Sequence, residues 1–184
     1  MISEVRSRGL NGGYDCFVEL FNPTSQPVVL DNLWALTFRK ATYGTSYQPR
    51  WAGSPGLTIP AGGFFLIANP GTTSSAGYDQ SPQPDAWMET VKVPDAGGVQ
   101  LIHDGVVVDS LCYYDDAVSL NEINDSFACE GTPVLNPHSF SATTNTDESL
   151  HRKQNGCQDT GDSESDFETV APSTPTNSAG DSQP

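Results

Sequence analysis

Five acidic side chains fall close together near the C-terminal end, in "DTGDSESDFE": Asp159, Asp162, Glu164, Asp166 and Glu168. Calcium takes about six to eight oxygen ligands, and closely spaced carboxylates on a loop can supply several of them. Asp159, Asp162, Glu164 and Asp166 are therefore candidate calcium ligands, with Asn155 and the Asp115-Asp116 pair as helpers. The spacing matches neither an EF-hand loop nor a glycine-aspartate repeat. The competing reading is a solvated acidic loop in which Asp162 or Asp166 caps a turn through its side chain.

Four cysteines are the next reactive set: Cys16, Cys112, Cys129 and Cys157. No C-x-x-C occurs, which argues against structural zinc and thioredoxin-type redox chemistry. Cys16 is in phase with Val18 and Leu20, and Cys112 shares a face with Ser110, Val108 and Val106. Cys129 and Cys157 lie in polar, loop-like sequence. The expected pairs are Cys16–Cys112 and Cys129–Cys157. The alternative keeps Cys16 and Cys112 as a buried free pair that behaves as small hydrophobes. Disulfides persist in oxidising compartments, so the cysteine usage points to an extracytoplasmic location.

The histidines, His103, His138 and His151, are scattered singly, as surface residues usually are. There is no H-E-x-x-H zinc motif and no G-x-S-x-G elbow. No catalytic residue is assigned, and a non-enzymatic role is expected. The segment "TYGTSYQPRWAG" offers a different chemistry: Tyr43, Tyr47, Arg50 and Trp51 are of the residue types enriched at binding hot spots. The bland alternative folds Trp51 back over the core as cover for a strand edge. Trp87 and Met88 form a second candidate contact.

These residues need elements to hold them. The chain has 184 residues, 17 of them Gly and 14 Pro, and many of these separate short apolar runs. That is the pattern of turn-rich β structure. "CFVELFN" alternates, with Cys16, Val18 and Leu20 on one face and Phe17, Glu19 and Phe21 on the other. "VVLDNLWALTF" is strand-like, with Trp34 and Leu36 facing inward. Val18, Leu20, Trp34 and Leu36 are the expected core, Trp34 at its middle. "GLTIPAGGFFLIAN" reads as strand, turn and strand, and "GGVQLIHDGVVVDSLCYY" as a hairpin with Asp-Gly at its tip. Helical periodicity is weak, although "DAWMETVKV" (85–93) could form one helical turn. The expected fold is all-β, an immunoglobulin-like β-sandwich with long polar loop insertions over 72–84 and 117–147. Residues 1–172 would form the single domain. Residues 173–184 read as a mobile, linker-like tail.

The net charge is −15. Such a chain repels nucleic acid phosphates and anionic lipid heads. No apolar run approaches the ~20 residues of a membrane helix. No signal peptide is visible; the chain starts within a strand-like pattern, so any export signal is expected to have been removed.

The ordered set "ISEV", "FVELFNP", Leu33-Trp34, "IPAGG", "DGVVVD", "SLHR", "DF" and "TPTN", spread from Ile2 to Asn177, resembles the bacterial lamin tail domain family. Cys16 and the long 117–147 insertion depart from its pattern. The resemblance implies an immunoglobulin-like sandwich without catalytic activity. It implies a binding or tethering module of an exported or cell-surface protein, with an unidentified protein or a surface glycan as partner. A calcium-dependent carbohydrate or surface adhesion domain is the alternative function, with Ca2+ as the sole candidate cofactor.

Overall fold

A computed structural model describes residues 1–42, 46–79 and 81–181. In chain order the strands begin with β1 (Ile2–Arg6), β2 (Phe17–Phe21), β3 (Val28–Val29), β4 (Trp34–Lys40) and β5 (Gln48–Ala52). Then come β6 (Thr58–Ile59), β7 (Phe64–Ala68), β8 (Gly71–Thr72), β9 (Ser75–Ala76) and β10 (Ala86–Trp87). The last are β11 (Gly97–His103), β12 (Val106–Tyr114), β13 (Val134–Leu135), β14 (Ser149–Arg152) and β15 (Phe167–Val170). One sheet runs β10-β7-β2-β1-β14-β15, a second runs β13-β12-β11-β4-β5, and two small ribbons pair β3 with β6 and β8 with β9. The fold is all-β, with few helices.

Strand alternation explains how the two larger sheets meet. Val5, Val18, Leu20 and Ile67 from the first sheet and Leu36, Val99, Leu101 and Leu111 from the second belong to one buried cluster. Val18, Leu20 and Leu36 are fully buried. Trp34 does not sit at the middle of this core. It is half-buried at the start of β4 and stacks on His103, its cross-strand partner on β11, with ring centroids 4.4 Å apart. The position at the strand's end, beside the 103–106 hairpin tip, leaves one side of the indole toward solvent.

Helix α1 (Ala117–Ser126) occupies part of the segment expected to be an irregular insertion. Asp116 caps it, accepting from the Ser119 amide, and Ser119 bonds back to the Asp116 amide. This reciprocal box satisfies two of the amides that a helix start leaves open. Only Ser119 and Ile123 of α1 are buried, so its apolar period is faint in sequence. Residues 85–93 do not make a helical turn. Ala86–Trp87 joins β7 as a parallel strand, and the Glu89 amide donates to the Arg50 carbonyl at 2.8 Å. This segment therefore crosses from the edge of one sheet to the edge of the other.

The tail is not a free linker over its described part. The amides of Thr174, Thr176 and Ser178 donate to Glu4 (2.9 Å), Glu19 (2.6 Å) and Asp85 (2.9 Å). Steps of two residues are what an extended strap provides, because alternate amides point the same way. The strap crosses the outer face of the first sheet, where β1 and β2 are buried along their whole length. The sequence reading fails here because Ser, Thr and Pro resemble a linker until acceptors for their amides are known.

Candidate functional site

The acidic run does not form a calcium cage. Asp162 caps the one-turn helix α2 (Ser163–Asp166): it accepts from the Ser165 amide at 2.8 Å and from the Thr132 amide at 2.7 Å. These donors hold its carboxyl down at about 2. Asp166 is buried, accepts from the Thr160 amide and hydroxyl at 2.8 Å each, and lies 3.8 Å from Arg152. Asp159 stands 3.7 Å from the same guanidinium, and Glu164 is exposed. Among the described residues, no group of three or more His, Cys, Asp or Glu side chains is placed to hold a metal. Arg152 supplies the positive charge that a cation would have supplied.

The cysteine pairing also differs from expectation. Cys112 bonds Cys129, with Cα atoms 5.7 Å apart, while Cys16 is free and buried and Cys157 is free and exposed. Leu111 and Tyr113 face the shared core, so Cys112 between them faces outward, beneath α1, in a separate cluster with Ala41, Ala96 and Ile123. Cys16 packs inside the shared core instead. The Cys16 thiol and the Cys112 sulfur therefore lie on opposite sides of the second sheet. Burial pushes the Cys16 thiol up to about 12, which keeps it protonated and unreactive.

Of the aromatic segment, Tyr43 lies outside the described residues. Tyr47 packs edge-on to Phe127, its phenol held close over Gly98 where any Cβ would collide. Trp51 is not a surface platform: it is 7% exposed and packs on Phe65 in the core. Arg50 is half-buried, its guanidinium 3.4 Å from the exposed Glu89. Of the second candidate pair, Trp87 is 49% exposed and Met88 is buried.

His138 is buried, contrary to the surface position expected of it. Ser7 Oγ lies 3.4 Å from His138 Nδ1 and donates to Asp95 Oδ1 at 3.2 Å, while Asn136 donates to the same hydroxyl at 3.0 Å. In a hydrolytic triad the imidazole bridges hydroxyl and carboxylate. Here the hydroxyl is the bridge. Burial lowers the His138 pKa and so keeps the ring neutral.

The feature that sequence reasoning missed is a cleft of about 440 Å³ where the 90–95 segment passes the ends of β4 and β5. Lys40, Arg50 and Lys92 line it, together with Tyr14 and Phe140. These are three of only eight basic residues in a chain of net charge −15. Other cations are spent internally: Arg6 pairs with Asp15 and Asp147, Arg8 with Asp95, and Arg152 with Asp109. Lys92 places its ammonium 4.6 Å from the Tyr14 ring centroid. Lys40 and Arg8 each lie 5.9 Å from the ring of Phe140, which is 82% exposed. A ring flanked by cations is attractive to them and apolar to a ligand. Of its lining, sequence reasoning had singled out Arg50 within the aromatic segment; Tyr14, Lys40, Lys92 and Phe140 were scattered single residues.

No protein-family model and no curated protein matches the chain. A solved structure of a DUF4876 family protein from Bacteroides thetaiotaomicron VPI-5482 is similar in fold, with a TM-score of 0.56 over 91% of this chain and 69% of that one. The identity is 14%, so the likeness concerns fold alone.

Proposed function

We propose that this chain is a non-catalytic binding or tethering module of an exported or cell-surface protein, built as a lamin-tail-like, immunoglobulin-like sandwich, with the basic aromatic cleft as its contact surface. The observation that carries the reading is the gathering of Lys40, Arg50 and Lys92 beside exposed aromatic surface in a strongly acidic chain. Three cations lining one open cleft supply attraction for an anionic group. Exposed aromatic surface supplies the apolar contact that hot spots use. The Cys112–Cys129 disulfide supports the extracytoplasmic placement. The Ser7–His138–Asp95 arrangement supports a role without catalysis, because the imidazole is not between the other two. The calcium-dependent alternative gains no site from the carboxylates described above.

Amide NMR spectra of the labelled chain test this reading. Titration with short acidic peptides, polyglutamate and polygalacturonate is expected to shift signals of Tyr14, Lys40, Lys92 and Phe140, and Lys92→Glu is expected to abolish the shifts. Silence at those residues with all three probes at millimolar concentration would remove the cleft as the contact surface. A reproducible hydrolase activity lost on one substitution would remove the non-catalytic reading.

A further inference from the structure

The cleft is the middle of a longer groove. One neighbouring hollow, about 590 Å³, shares Arg50 with it and is lined by Trp51, Leu57, Trp87 and Met88, with Glu89 beside Arg50 at its inner end. The other, about 340 Å³, shares Lys40, Asp95 and Phe140 with it and is lined by Asp115 and Asp116. The groove thus changes character along its length: apolar at the Trp87 end, basic at Arg50, Lys92 and Lys40, and acidic at Asp95, Asp115 and Asp116. Trp87 is half exposed, and Asp116 is exposed.

This order selects among anionic ligands. A uniform polyanion gains from the basic centre but meets Asp115 and Asp116 beyond it, and like charges brought together at an interface are costly. A plain apolar ligand offers nothing to the basic centre. A ligand with an apolar end, an anionic middle and a cationic end satisfies every part. Among polymers, a polypeptide supplies those three chemistries in sequence. We propose that the groove docks an extended protein segment with an aromatic or aliphatic anchor, one or more central Asp or Glu side chains, and a Lys or Arg beyond them. The inference rests on the cleft being the contact surface, as argued above.

Fluorescence anisotropy with the full chain tests it, using three fluorescein-labelled peptides. The first carries tryptophan at one end, glutamates at the centre and lysines at the other end. The second has the same composition with glutamates and lysines exchanged. The third is oligoglutamate of equal length. The first is expected to bind at least about tenfold more tightly than either control, the difference that one mismatched charge contact produces. Arg50→Glu and Lys92→Glu are expected to lose that advantage, and Asp115→Asn to narrow the gap between the first peptide and oligoglutamate, with thermal melts verifying that each variant folds. Equal or tighter binding of oligoglutamate would overturn the peptide inference while leaving the cleft as a polyanion site. Equal binding of the charge-exchanged peptide would overturn the charge order. If no peptide binds and the NMR probes are also silent, the contact surface itself falls.

Discussion

Glu4 and Glu19 are direct cross-strand partners on β1 and β2, and both are buried. Glu19 accepts from the Ser3 hydroxyl and from the Thr176 amide, and Glu4 from Ser149 Oγ at 2.6 Å. Those donors favour the anions, but burial opposes them more strongly, and Glu4 adds its own charge. Glu19 is thereby pushed up to about 8, and Glu4 is also raised. The sign follows from proton counting. Between the usual glutamate range and about 8, the folded chain holds a proton that the unfolded chain has released. Stability is therefore fullest below that window and falls as pH rises through it, by at most about 1.4 kcal/mol per pH unit for one proton. Urea melts at several pH values are expected to show this decline, and Glu19→Gln is expected to flatten it. An equal slope in the variant would assign the decline to other groups. Asp162 acts oppositely: its stabilising contribution is present above the usual aspartate range and is lost as pH falls through about 2.

At the scale of elements, α1 is held on two sides. Its buried Ile123 packs against the outer face of the second sheet, and Cys129, just beyond it, is bonded to Cys112 on β12. Closing a loop of 17 residues contributes about 3 kcal/mol on the chain-entropy account. Cys129→Ser is expected to lower unfolding free energy by about that amount. Cys157→Ser, which touches an exposed free thiol, is expected to leave it unchanged. Denaturant melts of both variants, with and without reductant, check the pair. A loss in Cys157→Ser matching that in Cys129→Ser would contradict the pairing. How much of these elements is legible beforehand varies with how locally they are stabilised. The β2 alternation is local and readable, because successive side chains of a strand must point to opposite faces. The face that Cys112 occupies is not, since the choice between inner and outer depends on which side of β12 the first sheet covers. Helix α1 is hidden for a related reason: it buries so little that its period never rises above the polar background.

For the whole molecule, charge is segregated. The net charge of −15 gives a repulsive field toward polyanions at low salt, and the basic cleft is a local exception within it. At 0.1 M salt the screening length is about 10 Å, so the distant acid is muted while contacts inside the cleft survive. Labelled duplex DNA is expected to show no anisotropy change with this chain at any salt concentration, because a duplex needs many phosphate contacts at once. DNA binding that weakens steeply as salt rises would overturn this expectation. Composition and alternation by themselves determined that the chain is β-rich, that turns punctuate it, that it is acidic, and that Val18 and Leu20 share one face of their strand. These properties depend on neighbours in sequence. Tertiary structure alone decided that the acidic run serves Arg152 and a helix cap, that the Ser/Thr-rich tail straps two buried glutamates, and that Lys40, Arg50 and Lys92 converge. Those outcomes depend on which residues the stacking of two sheets brings together across the chain, and a period of two carries no information about partners in another sheet.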